Sequence, residues 1–407
     1  MSNVVVKKYG GSSLADAEKK KKVARRIIKA REKGDRVVVV ASAMGDTTDE
    51  LIKLAHQITD QPDKRELDSL LSTGELVSCA LLAMALKSMG YPAVSLSGAQ
   101  AGIITEKTYG AARILRVDPS RIQRELEAGR IVIVAGFQGI TDETVDVTTL
   151  GRGGSNTTAV ALAAALGARV CEMYTDVEGV FTADPRIVPE AVKLKEIGFE
   201  EMLELATYGS NVLHNRAVEL AELYNIPILV ASSFVEAPGT LIHGGIPMEV
   251  RNKVRGIAHD LNVAKITVVG VPDRPGIAAS LFEPLAKAGI SVDTIVQNAS
   301  INKVTDLTFT VAKSDMKRAM EIVEPAAKAA GAREVTADDS LAKVSIVGTG
   351  MQNTPGYAAR MFRILSDRGI NIELITTSEI RITVIIAADR VNEAVRALHK
   401  GFDLEKV

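Results

Sequence analysis

Cysteine is nearly missing from this chain: Cys79 and Cys171 are the two in 407 residues, and both sit in apolar segments. That excludes a disulfide-stapled scaffold and predicts buried, reduced thiols. Histidine is almost as scarce. His56, His214, His243, His259 and His399 are scattered without metal-ligand spacing and read as structural or surface residues. Neither sign of charge dominates, with 49 basic against 50 acidic residues and a net charge of −1, so neither nucleic acid nor an anionic membrane is expected as a partner. No apolar run reads as long enough to span a bilayer, and no signal-peptide pattern precedes the first apolar segment. The expectation is a soluble, cytoplasmic chain. Also missing are the G-x-x-x-x-G-K-[ST] phosphate loop and the H-R-D and D-F-G segments of protein kinases, which removes both of those nucleotide chemistries.

Two glycine-rich loops stand out. Leu150-Gly151-Arg152-Gly153-Gly154-Ser155-Asn156-Thr157-Thr158 runs straight into the alanine-rich Ala159 to Leu166. The first turn of a helix carries unpaired N–H groups and the positive end of the macrodipole, so this junction suits an anion. Glycine allows close backbone approach and arginine can grip a carboxylate or phosphate with two hydrogen bonds. The alternative is a plain turn with Ser155 as N-cap. Near the N-terminus, Val4-Val5-Val6-Lys7-Lys8-Tyr9-Gly10-Gly11-Ser12-Ser13 reads as a short strand breaking into a turn. A lysine at a strand end beside a flexible backbone suits phosphoryl transfer.

Strand and helix alternate through the first part of the chain. Arg36 to Ala41, Ala93 to Leu96, Ile131 to Gly136, Val170 to Tyr174 and Ile226 to Val230 are apolar runs of the kind buried on both faces. Between them lie helical patterns at Ala15 to Lys33, Arg65 to Met89, Pro119 to Ala128, Ser155 to Leu166 and Ser210 to Tyr224. The fold class is therefore α/β, a mainly parallel sheet sandwiched by helices, with ligands beyond the carboxyl ends of the strands. Both glycine loops occupy such ends, as does Ser42 to Thr48. This α/β unit is placed at 1–242, followed by a linker at 243–263.

An internal repeat follows. Lys265-Ile266-Thr267-Val268-Val269-Gly270 is echoed by Lys343-Val344-Ser345-Ile346-Val347-Gly348, Pro275-Gly276 by Pro355-Gly356, Phe282 by Phe362, and Gly289-Ile290-Ser291-Val292 by Gly369-Ile370-Asn371-Ile372. Each copy reads as a ferredoxin-like βαββαβ unit, placed at 264–336 and 342–407. A paired regulatory module fits this pattern, as does a dimerisation module without a ligand.

Over essentially its full length the chain resembles the aspartate kinases of the amino-acid kinase superfamily. The segments that carry the resemblance are Lys8 to Ser13, Ser72-Thr73-Gly74-Glu75, Leu150 to Ser155 and Thr175 to Arg186. The tandem repeat resembles the family's two ACT domains, with Ser378-Glu379-Ile380 in the second copy. The resemblance implies ATP-dependent phosphorylation of the L-aspartate side chain to 4-phospho-L-aspartate, toward lysine, threonine and methionine, with feedback by lysine, threonine or both. It implies Lys8 at the transferred phosphoryl group, with Gly10, Gly11 and Ser12 beside the phosphates. Arg152 would take the substrate α-carboxylate, with Ser42, Thr48, Gly153 and Ser155 as further contacts, and Glu75 the ammonium. Thr175, Asp176, Phe181, Asp184 and Arg186 would line the nucleotide site, with Mg²⁺ carried on ATP.

For the effector the resemblance implies Asp273, Gly276, Ala278 and Gln297 in one ACT copy, facing Asn371 and Ile372 from another chain, hence a homo-oligomer of at least two chains. Three positions depart from the family pattern: Phe181 stands where the family usually has tyrosine, a mild change, and, of more weight, Asn156 stands where it has aspartate and Asn211 where it has lysine. Asn156 and Asn211 fall at catalytic positions, so weakened turnover is the expectation. A silent, amino-acid-binding regulatory subunit is the alternative, and a glutamate kinase is disfavoured by the ACT pair.

Overall fold

The runs of β-branched residues do form the centre of a sheet. In the computed structural model, which describes residues 3–209, 212–245, 254–298, 304–351 and 354–406, the chain forms two compact units. The first comprises Met1–Phe181, Lys193–Thr207 and Asn211–Val250, and the second Thr182–Val192, Tyr208–Ser210 and Arg251–Val407. In chain order the first unit contains β1 (Val4–Tyr9), α1 (Ala17–Glu32), β2 (Arg36–Ala41), α2 (Thr47–Ile58), α3 (Lys64–Ser88), β3 (Ala93–Leu96), β4 (Ile103–Thr105), β5 (Ile114–Val117), α4 (Ser120–Glu127), β6 (Ile131–Ala135), β7 (Gln138–Thr141) and β8 (Val147–Thr149). It continues with α5 (Gly154–Ala165), β9 (Val170–Thr175), β10 (Glu196–Gly198), α6 (Phe199–Thr207), α7 (Asn215–Leu223), β11 (Ile228–Ser232) and β12 (Thr240–His243).

The main sheet runs β10-β12-β11-β9-β1-β2-β6-β3. Strands β11, β9, β1, β2, β6 and β3 are mutually parallel, and β12 is antiparallel to β11. Its core is aliphatic: Val37, Val39, Ile131 and Ile133 meet Val23, Ala24 and Ile27 of α1 and Leu82 and Leu86 of α3. Helix α1 starts where the Asp16 carboxylate accepts the Lys19 N–H at 2.8 Å, and α3 where Asp63 accepts from Arg65 and Glu66. Contrary to the sequence expectation, α3 is long and apolar enough to cross a membrane by length and composition. One side of it, including the polar Asp68 and Glu75, is buried in the protein, as in a core helix. A second sheet, β5-β4-β7-β8, was not foreseen, and it delivers the chain to the arginine loop.

The second unit contains β13 (Gly256–Pro272), α8 (Ile277–Lys287), β14 (Val292–Gln297), β15 (Val304–Val311), α9 (Met316–Ala330), β16 (Glu334–Val347), α10 (Tyr357–Ser366), β17 (Leu374–Thr377), β18 (Arg381–Ala387) and α11 (Val391–Gly401). Both repeats share one antiparallel sheet, β14-β15-β13-β16-β18-β17. Two expectations need correcting. The linker assigned to 243–263 is strand from Gly256 onward, and Gly256 to Asp260 pair with Val347 to Lys343. The second copy therefore does not supply its own fourth strand after α11; residues preceding the first copy fill that place, so the first copy is inserted into the second. The register shows how: Gly256 to Asp260 supply the hydrogen-bond partners along the Lys343 to Val347 edge of β16, and an edge so covered is closed to further pairing. The segment 182–192, expected in the catalytic unit, belongs to this second unit, with Ala183 and Val188 in its core beside Ile346 and Leu398.

Candidate active site

Strands β1, β2 and β9 run in register, so their carboxyl ends, Tyr9, Ala41 and Thr175, form one edge. The loops leaving β1 and β2 meet there: the Gly45 N–H donates to the Gly11 carbonyl at 3.0 Å. A Cβ at Gly11 would stand 2.8 Å from the Ala43 carbonyl oxygen, so glycine is required for this approach. Above that edge the Leu150–Gly154 loop feeds α5, whose N-cap is Gly153 in left-handed geometry (φ 73°). Ser155 is not the cap.

These loops enclose a cleft of about 290 Å³ that gathers Lys8, Gly11, Ser42, Thr48, Glu75, Arg152, Gly153, Ser155 and Asn156. Residues assigned from four distant parts of the sequence thus share one site. Phe137, which also lines it, was missed. It follows the apolar run of β6 at φ 69°, an unusual conformation for an aromatic residue, and its carbonyl accepts the Leu150 N–H at 2.8 Å. The A-G-F-Q-G string was its only trace in the sequence.

Charge in the cleft follows from burial. Successive strand residues face opposite ways, so Lys7 and Lys8 have different fates. Lys7 is buried in an ion pair with Glu172, whose Oε2 also accepts the Tyr174 hydroxyl at 2.8 Å. Lys8 keeps a partial opening to the cleft and pairs with no described residue. Burial of its ammonium brings its pKa down to about 8, with Cys171 and Asp176 acting the other way. Arg152 is exposed on its loop, likewise without a partner among the described residues. Glu75 lies inside α3, 3% exposed, rather than on a solvated face. Its Oε1 accepts the Ala43 N–H at 3.2 Å, and its Oε2 is buried with no hydrogen-bond partner among the described residues. Burial pushes its pKa up to about 7, only partly offset by backbone N–H groups. The site therefore presents two cations and one carboxylate oxygen awaiting a donor.

Other assigned residues stand differently. Gly10 does not offer its N–H to a ligand; that group bonds to the Tyr174 carbonyl at 3.3 Å. Ser12 is exposed in the same turn. Thr175 ends β9, and its hydroxyl donates to the carboxylate of Asp176, just beyond the strand, at 2.9 Å. Phe181 forms a bridge with Lys193 and is not part of the cleft lining. Asp184 and Arg186 lie in the segment assigned to the second unit, and the guanidinium holds the carboxylate at 2.7 and 3.0 Å. Asn211 lies outside the described residues. In the second unit, Asp273, Gly276 and Ala278 are exposed where α8 begins, with Gly276 its left-handed cap. Gly356 caps α10 in the same way, as the repeat predicts. Gln297 ends β14, and Asn371 and Ile372 precede β17, with Asn371 donating to Glu373 at 2.9 Å. No cluster of metal-ligating side chains occurs among the described residues.

Comparison with known proteins adds an independent line. Residues 3–232 match the model of the amino acid kinase family, and 266–326 and 344–402 match that of an ACT domain. An aspartokinase of Corynebacterium efficiens is 52% identical over 406 residues, covering 98% of this chain and 96% of the relative. Among solved structures, E. coli aspartokinase III in complex with aspartate and ADP, in the R-state, superposes with a TM-score of 0.81 at 25% identity, covering 98% of this chain and 99% of that one. The T-state of the same enzyme, with lysine and aspartate, gives 0.77 at 26% identity over 98% and 100%.

Proposed function

Because this chain belongs to the aspartokinases of the amino acid kinase family, we propose that it transfers the γ-phosphoryl group of ATP to the side-chain carboxylate of L-aspartate. The products are ADP and 4-phospho-L-aspartate. The observation that carries this reading is the charge pattern of the cleft: two cations, Lys8 and Arg152, and one carboxylate oxygen on Glu75, each without a partner among the described residues. Aspartate is its complement, with two carboxylates and one ammonium.

Each residue then has a task. The attacking carboxylate is ionised at neutral pH, so no general base is needed. Catalysis reduces to in-line positioning and neutralisation of the charge on the moving phosphoryl group. Lys8 supplies that neutralisation. Arg152 holds the α-carboxylate in a planar, two-bonded grip, with Ser42, Thr48 and Ser155 as hydroxyl contacts. Glu75 takes the ammonium, which selects an amino acid over a simple dicarboxylate. The nucleotide is assigned to the Gly11 turn and to Thr175 and Asp176 at the ends of β1 and β9. Mg²⁺ is assigned to the ATP phosphates, where it offsets their charge.

Asn156 lines the cleft with Lys8, in place of the family's aspartate, and Asn211 replaces a lysine; the proposal includes slower turnover for that reason. The ACT pair is proposed to bind lysine or threonine at Asp273, Gly276, Ala278 and Gln297 of one chain and Asn371 and Ile372 of another. That arrangement requires an oligomer and links the enzyme to lysine, threonine and methionine synthesis in the cytoplasm. The test is release of ADP from Mg-ATP that depends on L-aspartate, beside the Asn156→Asp/Asn211→Lys variant. Turnover by the unaltered chain is expected. Turnover only in the double variant would mean a silenced catalytic site and a regulatory role for the ACT pair.

A further inference from the structure

Among the described residues Arg152 has no partner of its own, and it sits on a loop with positive-φ glycines at Gly151 and Gly153. Such a loop is entropically costly to hold in one shape, so the precision of the aspartate grip must come from what stands behind it. The start of α7 stands there. Arg216, in the first turn of α7, sends its guanidinium into the loop: one nitrogen donates to the Leu150 carbonyl at 2.6 Å and another to the Ala112 carbonyl at 3.0 Å. The two acceptors come from separate stretches of chain, and a planar fork suits a simultaneous hold on both. Its neighbour His214 fills the space next to Gly153 so closely that a Cβ there would lie 2.4 Å from the His214 Cβ and Cγ. Burial, reinforced by Arg216 and Arg152, keeps the His214 pKa below its ordinary value, so the ring adds bulk without charge.

We propose that Arg216 and His214 are positioning residues of the aspartate site, acting through Arg152. Arg216 fixes the carbonyl two residues before Arg152, and the His214 ring fixes the turn one residue after it. Neither residue lines the cleft. The sequence signal is only a His-x-Arg string at a helix start, with nothing to say that it reaches a loop some sixty positions earlier. The inference rests on the reading of the cleft as an aspartate site.

The experiment measures the Kd for L-aspartate by calorimetry, and the KM values for aspartate and Mg-ATP. It compares the unaltered chain with Arg216→Ala, Arg216→Lys, Arg152→Ala and the Arg152→Ala/Arg216→Ala pair. Arg216→Ala should weaken aspartate binding about tenfold while leaving the KM for ATP within about twofold, because the loss falls on one ligand's loop. Arg216→Lys should fall between, since an ammonium can satisfy only part of the fork, and it decides the matter if the alanine variant does not fold. On the Arg152→Ala background, removing Arg216 should cost less than about twofold more, since the residue it positions is already gone. Equal losses for ATP and aspartate, or fully additive losses in the pair, would overturn the inference. An unaltered chain that fails to bind aspartate would instead overturn the reading of the cleft itself, and the inference with it.

Discussion

Replacing Glu75 by glutamine should make the protein more stable and a poorer aspartate binder at once. The Glu75 carboxyl is raised from 4.5 to about 7 by burial. Between those values the folded state holds a proton that the unfolded chain has lost, so stability falls as pH rises through that window, and the cost is complete above pH 7. A shift of this size corresponds to about 3 kcal/mol at pH 8. Glutamine removes that cost and can keep the bond from the Ala43 N–H through its own carbonyl. The Tm of Glu75→Gln should therefore exceed that of the unaltered chain at pH 8, by a margin that shrinks as pH falls toward 5. Function moves the other way. The ionised fraction of a group titrating at 7 rises from about 10% at pH 6 to about 90% at pH 8, so kcat/KM for aspartate should climb about tenfold over that interval. Above pH 8 it should fall again as Lys8 loses its proton. In Glu75→Gln the acid limb should vanish, and the aspartate KM should rise most at pH 8, by a margin that shrinks as pH falls and the unaltered carboxyl takes up its own proton. Steady-state kinetics from pH 5.5 to 9 and thermal scans at matched pH provide both readouts. An acid limb that persists in the variant, or a variant less stable at pH 8, would refute the assignment.

Other perturbations probe the remaining parts. Arg152→Ala should raise the aspartate KM by about 10- to 100-fold, the value of a charged, two-bonded contact, with the ATP KM little changed in the same assay. Asn156→Asp places a carboxylate in the cleft with Lys8; it should move the basic limb of the pH profile above 8 and raise kcat by about 10²-fold, measured as ADP release. Gly11→Ala forces a methyl against the Ala43 and Gly45 carbonyls and should cost about 1–3 kcal/mol, seen in thermal unfolding together with lost turnover. In the second unit, buried Thr182 shares a hydrogen bond with His399 Nε2 at 2.9 Å and accepts the Val192 N–H at 2.9 Å. Thr182→Val strands both groups and should cost about 1–3 kcal/mol, followed by far-UV circular dichroism because the chain has no tryptophan.

What could be read from the sequence was what is periodic or local. The strand at Arg36 to Ala41 declared itself because a parallel strand buried on both faces is one unbroken apolar run, and the long α3 because its pattern persists for seven turns. Gly256 to Val263 was taken for linker because its polar stretch, His259 to Asn262, masks a strand whose partner lies some eighty residues later. Arg152 was legible from chemistry alone, as an arginine among glycines before a helix. Glu75 was not: a carboxylate in a helix looks the same whether it faces water or protein, and only the resemblance to a family pointed to it. Its burial depends on Ala43, which the turn after β2 brings against α3. Phe137, Arg216 and His214 stayed hidden for the same reason, since each acts on a loop remote in sequence.

The central claim is that the cleft phosphorylates the side chain of aspartate. An acyl phosphate is trapped by hydroxylamine, so the decisive measurement is formation of aspartyl β-hydroxamate from Mg-ATP and L-aspartate by the purified chain, beside Lys8→Gln and with L-glutamate as the competing substrate. The account predicts hydroxamate from aspartate, little or none from glutamate, and a loss of about 10² to 10³ in rate for Lys8→Gln. Hydroxamate formed equally from glutamate, or undiminished in Lys8→Gln, would contradict it.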